Sequence, residues 1–173
     1  MKKRGKKAQA WVETVVYTLI GLSIIGIIIG VATPKIKEMT DNAIVEQTIT
    51  AMSQLDSKIV STQSAVGNSR QADFRIKKGE MLIDGKEDKI YFIVTDTTLL
   101  FSQPGTPISY GDISILTEEV GKKYNINLIL DYSGIYDIKF NGADDVEKLT
   151  SAPTIYQILM ENQGEKVIDF TVI

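Results

Sequence analysis

The chain has 173 residues, 43% of them hydrophobic, enough for one ordinary domain with a sizeable core plus a short accessory segment. It contains no histidine and no cysteine, which removes Ser-His-Asp and Cys-His nucleophiles, Cys/His zinc sites, thiolate-held iron–sulfur clusters and disulfides. The formal charge of −3 argues against a general basic grip on nucleic acid, yet it is unevenly placed: MKKRGKKA at the start holds five of the 19 basic side chains and no acid, and from Gln9 onward 14 bases face 22 acids.

Between Glu13 and Lys35 lie 21 residues without a formal charge, TVVYTLIGLSIIGIIIGVATP. A helix of that length spans about 30 Å, the thickness of a bilayer's hydrocarbon core. The five basic residues on its N-terminal flank predict a cytoplasmic N-terminus, with everything after Lys35 outside the membrane. Two other readings share this hydropathy. A secretory signal peptide would be cut after Ala32, in the small-x-small site Gly30-Val31-Ala32, although its apolar core of about 7–15 residues is much shorter than this run. A plain single-pass anchor would keep the whole segment and its lysines.

Neither of these accounts for Glu13, an acid one residue before an apolar run, where a carboxylate is costly to bury and calls for a partner. Its surroundings, Lys6-Lys7-Ala8-Gln9-Ala10-Trp11-Val12-Glu13 followed by the apolar helix, resemble the class III signal of archaeal type IV pilin-like proteins. In that family a short basic leader ending in a small residue precedes a Gln, with a Glu four positions later and a hydrophobic helix behind it. Ala8 stands here where the family more often has Gly, and Trp11 and Tyr17 stand where Ser and Leu are common. The resemblance covers about the first 35 residues and implies cleavage by a prepilin peptidase between Ala8 and Gln9. The new α-amine, with a pKa near about 8, is a natural counter-ion for Glu13 of a neighbouring, axially staggered helix.

Within the segment, Gly26 and Gly30 form a GxxxG element, a spacing that lets helices approach closely in an apolar medium. Pro34 lacks an amide hydrogen and is expected to kink or loosen the helix near residues 30–34. Residues 35–68 read as an amphipathic helix with its apolar face at Ile36, Val45, Ile49, Met52, Leu55, Ile59 and Val66, stopped by Gly67-Asn68-Ser69. Continued across Pro34, roughly 50 residues of helix would reach about 75 Å.

The periodicity then changes to strands, at 73–77, 81–83, 89–95, 126–132, 135–140, 154–160 and 166–173. Hairpins are expected around Asp84-Gly85, Ser133-Gly134 and Asn162-Gln163-Gly164. Residues 102–121 read as a loop leading into a short helix near 117–123, and the loop is a candidate contact or adhesion site. Asp144-Asp145 reads as a helix N-cap and solvated pair, since its spacing lacks the alternating ligands and turn glycine of a calcium loop. Asp131 and Asp137 flank the Ser133-Gly134 turn as expected cross-strand, solvated residues. No phosphate loop, dinucleotide fingerprint, nucleophile elbow or N-glycosylation sequon occurs, and there is no internal repeat.

The sequence thus predicts an α+β chain in four parts: a leader (1–8), a hydrophobic transmembrane or filament-core helix (9–34), an amphipathic helix (35–68) and a β-rich head (69–173) in which that helix covers a mainly antiparallel sheet. The pilin resemblance implies the same architecture. It also implies a non-enzymatic structural subunit without cofactor or metal, held in the membrane as a precursor and then assembled with its own copies into an extracellular filament for adhesion or as a surface appendage. Its implied partners are the prepilin peptidase, an assembly ATPase and a platform membrane protein, with no nucleic acid. Three alternatives carry different signatures: a membrane-anchored extracellular binding or sensor domain would keep Met1, a secreted enzyme using carboxylates would begin at Thr33, and a minor pseudopilin would share the Gln9 start.

Overall fold

The computed structural model describes residues 10–173, with the backbone of residues 4–9 traced as helix. One helix, α1 (Arg4–Thr62), is followed by ten strands: β1 (Ser69–Phe74), β2 (Glu80–Asp84), β3 (Lys89–Thr97), β4 (Ile108–Tyr110), β5 (Ile113–Val120), β6 (Lys123–Asp131), β7 (Asp137–Phe140), β8 (Val146–Thr150), β9 (Tyr156–Gly164) and β10 (Val167–Val172). The chain divides into two units, Met1–Met39 and Thr40–Ile173.

Among the described residues the first unit is helix alone. Its α-helical backbone runs through Pro34 without a break. The clash of a proline ring falls on the carbonyl four residues earlier, and here that residue is Gly30.

In the second unit the sheets are mixed and mainly antiparallel. A six-stranded sheet has the order β4-β5-β6-β3-β2-β8 and a four-stranded sheet the order β1-β9-β10-β7, with β7 and β10 parallel. The helical residues 40–62 supply Val45, Ile49, Met52, Leu55 and Ile59 to one core shared with both sheets, including Phe74, Ile83, Phe92, Leu128, Ile158 and Phe170. These helix positions recur every three or four residues, which places them on one face. The two sheets meet through Phe74 of β1 and Phe92 of β3, whose ring centroids lie 5.9 Å apart. Ile36 and Val66, expected on the same stripe, are instead exposed.

Both ends of the buried helical stretch are tied by polar groups. Asp41, 2% exposed, accepts hydrogen bonds from Lys78 Nζ at 2.6 Å and from Thr97 Oγ1 at 2.6 Å. At the other end the Asn162 side-chain amide donates to the carbonyls of Thr62 and Ala65 at 3.1 and 3.2 Å. The helix stops at Thr62, ahead of the expected Gly67-Asn68-Ser69 stop, where a strand side chain takes up its final carbonyl and that of Ala65 just beyond it. Gly67 does adopt a left-handed φ of 78°, and its amide donates to the Asn162 carbonyl at 2.7 Å, joining the chain reversal to β9.

Hairpins form at Asp84-Gly85 between β2 and β3 and beside Asn162-Gln163-Gly164 between β9 and β10. In the latter the turn residues are Glu165 and Lys166, both at positive φ. The Ser133-Gly134 turn is no hairpin. Tyr132 is buried, its carbonyl accepts from the amides of Ile135 and Tyr136, and the chain crosses to the other sheet, where β7 pairs with β10. Asp131 and Asp137 consequently lie in different sheets.

Residues 113–120 are strand β5 where a short helix was expected near 117–123, because buried Thr117 and the flanking Ile113 and Ile115 alternate inward. Asp144-Asp145 caps no helix either: Asp144 accepts from Lys139 Nζ at 2.8 Å, the Asp145 carbonyl accepts the Gly85 amide at 3.0 Å, and β8 follows. A side chain at Gly85 would strike the Ile138 carbonyl, and one at Gly79, where φ is 89°, would collide with that of Ile93.

Met52→Ala is expected to lower unfolding stability by about 2–5 kcal/mol through lost burial and the cavity left behind, whereas Ile36→Ala should change it by under about 0.5 kcal/mol. Denaturant midpoints of the detergent-solubilised full chain measure both.

Candidate functional site

The surface with the least cover is the first unit. Fourteen large hydrophobic side chains between Trp11 and Val31 are exposed, with Trp11 at 71%, Tyr17 at 72% and Ile27 at 67%. Isoleucine, valine and leucine dominate this stretch all round the helix, so no polar face turns to water. The helix is long and apolar enough to cross a membrane.

Its four aliphatic hydroxyls fit such a surrounding. Thr14, Thr18, Ser23 and Thr33 each donate to the carbonyl four residues earlier, at 2.7–2.9 Å. Each of these four side chains is thereby satisfied within its own helix and leaves methyl and methylene groups on the outside. Gly26 and Gly30 lie one turn apart on one face, and apart from the adjoining helical backbone nothing comes within 4 Å of where a side chain would stand at either. They leave a shallow notch of the kind that admits a second backbone. Glu13 is exposed at the head of the apolar run, and Lys35 and Glu38 pair at 2.9 Å at its other end. Ala8 and Gln9, the predicted processing site, lie outside the described residues.

The second unit presents two clefts, on opposite flanks of the buried stripe of residues 45–59. One, of about 320 Å³, runs beside Ile44, Gln47, Thr48 and Ala51 and has Arg75 and Lys77 on its wall with Asp73, Phe74 and Phe92. The other, of about 260 Å³, is lined by Asp56, Val60, Asp112, Asp131, Tyr132, Ile135 and Tyr136. In it the Tyr132 hydroxyl donates to Asp56 Oδ1 at 2.8 Å, and the Tyr132 and Tyr136 rings lie 5.7 Å apart.

Burial raises the Asp56 carboxyl above its ordinary value, with the Asp112 charge adding to the shift and the Tyr132 hydrogen bond opposing it. Burial likewise pushes the Tyr132 phenol well above its usual range, and the neighbouring Asp56 carboxylate reinforces the effect. Asp131 is held low by the Ser133 hydroxyl and amide and by Lys89. Tyr132 and Asp56 are 76 positions apart in sequence, so no local spacing announces their pairing. Among the described residues no three acids converge as metal ligands. The 102–121 stretch is pinned through Thr117, which bonds the Ser102 amide and hydroxyl and whose carbonyl accepts from Gly105.

Comparison with protein-family models, curated proteins and solved structures finds no match for this chain.

The raised Asp56 value has a definite sign in stability. Its folded-state pKa exceeds the unfolded one of 3.8, so the stabilisation is fully present below that ordinary value and is lost as pH rises through the raised one. Asp56→Asn keeps an acceptor for Tyr132 and removes the charge. Denaturant midpoints taken from pH 3.5 to pH 7 should therefore fall less steeply for the variant than for the natural chain. Parallel curves would show that Asp56 is not the group responsible.

Proposed function

We propose that this chain is a type IV pilin-like structural subunit, an archaeal filament protein whose precursor enters the membrane with its basic leader inside. The leader is removed before Gln9, and the mature subunit assembles into an extracellular filament. One observation carries the reading: the exposed apolar helix behind Glu13, its Thr and Ser hydroxyls bonded within the helix, in a chain whose head closes a core of its own.

A water-facing apolar helix of this length must find an apolar surrounding, first lipid and then the helices of neighbouring copies. Repetition of one head-to-tail contact yields an open helical assembly when its rotation does not close. Glu13 answers the α-amine that cleavage creates, so each subunit neutralises the next. The acidic heads coat the outside. Adhesion or a surface appendage is the resulting use, with the prepilin peptidase, an assembly ATPase and a platform membrane protein as biogenesis partners.

N-terminal mass analysis of the mature protein tests this directly. A chain beginning at Gln9, free or cyclised, is expected; a chain that keeps Met1 is a membrane-anchored extracellular domain, and the filament reading falls. Glu13→Ala should leave membrane insertion intact and cut filament yield, counted by electron microscopy, by about tenfold or more, since it leaves a buried amine without its partner. Normal filament yield from that variant would remove Glu13 from assembly.

A further inference from the structure

The two clefts beside the helix carry opposite charge. On one flank, Arg75 and Lys77 stand on an open groove floored by Ile44, Ala51, Phe74 and Phe92. Lys77 donates to the neutral Gln47 at 3.2 Å, and among the described residues no carboxylate lies within 4 Å of either cation. The groove's one acid, Asp73, accepts from the Gln71 amide at 3.2 Å. On the other flank, Asp56 and Asp112 face a cleft walled by Tyr132, Tyr136, Val60 and Ile135, where a third acid, Asp131, pairs with Lys89 at 3.8 Å. No lysine or arginine lies within 4 Å of Asp56 or Asp112 among the described residues. Among the described residues the clefts are complementary in charge: two unpaired cations over an apolar floor on one side, and on the other three carboxylates, two of them without a basic partner, beside tyrosine rings, which also attract a guanidinium.

These surfaces do not meet within one chain, since Ile44, Gln47 and Ala51 lie on one side of the buried stripe and Asp56 and Val60 on the other. We propose that the Arg75–Lys77 groove of one copy docks on the Asp56–Asp112 tyrosine cleft of a second copy of this chain. The two patches are different surfaces, so the contact is heterologous: each copy joined through its groove still offers its cleft to the next. This rests on the reading of the chain as a self-assembling subunit and names the head-to-head contact within it.

The chain has no cysteine, so introduced thiols report without background. Full-length Lys77→Cys and Asp112→Cys chains are co-expressed and oxidised in membranes and in any filaments formed. A disulfide needs Cα atoms within about 7 Å, so it forms only where the two patches meet. The expected result is a covalent dimer from the mixture and not from either variant alone, and a ladder when both changes sit in one chain.

Adding Arg75→Glu should lower the dimer yield about tenfold by setting like charges together, while Arg70→Glu, outside the groove, should leave it unchanged. No dimer from the mixture, or equal dimer from one variant alone, overturns the contact. N-terminal mass of the same samples separates the two ideas: a Gln9 start with filaments but no dimer sinks the contact alone, whereas a Met1 start with dimer sinks the filament reading and leaves the contact standing.

Discussion

An apolar helix with no polar face is the constraint on which everything else in this chain depends. Fourteen large hydrophobic side chains between Trp11 and Val31 stand exposed, and at about 1.5–3 kcal/mol for each one removed from water the drive to cover them is tens of kcal/mol. A folded domain typically holds a net stability of about 5–15 kcal/mol. The demand of the helix is therefore larger than the whole stability of an ordinary head, and it has to be met by lipid or by other chains.

The head is organised so that it makes no such demand itself. Residues 45–59 bury their stripe against two sheets, and the ends of that stretch are held by Asp41 with Lys78 and Thr97 and by Asn162. Asp41 is an almost fully buried carboxylate with two short hydrogen bonds, which is the condition under which a buried charge is tolerable; losing either partner would leave it costly. The tie at Asn162 satisfies the helix's final carbonyl, which would otherwise need water.

The stripe from Val45 to Ile59 was legible in the sequence because helical periodicity and burial coincide there, and so was the uncharged run up to Pro34. Ile36 and Val66 fit the same period but are exposed, Ile36 in the first unit and Val66 past the end of the helix at Thr62, and periodicity alone carries no information about where a buried stripe ends. Strand β5 was hidden by its own ending, Thr-Glu-Glu-Val, whose acids suit a helix, while the inward Ile113, Ile115 and Thr117 follow from pairing with β6. At Ser133-Gly134 the local turn chemistry was right and the topology wrong: whether a turn returns the chain to the same sheet depends on what anchors the residue before it, here Tyr132 on Asp56. The clefts were invisible for the same reason, being assembled from residues far apart in sequence. Glu165 and Lys166 hold the left-handed conformation without glycine or asparagine, so the β9–β10 turn gave its signal two residues early.

The back-bonded hydroxyls of Thr14, Thr18, Ser23 and Thr33 bear on reversibility. Between Thr18 and Thr33 every side-chain donor is answered internally, so that stretch presents much the same outer surface to hydrocarbon chains as to the side chains of another helix. Moving it between two such media breaks no directional bond and rebuilds none. The difference is left to dispersion contacts, which are individually small. Such a segment is an interchangeable part, withdrawn from one apolar host and accepted by another in either direction, with the balance set by what lies at its two ends.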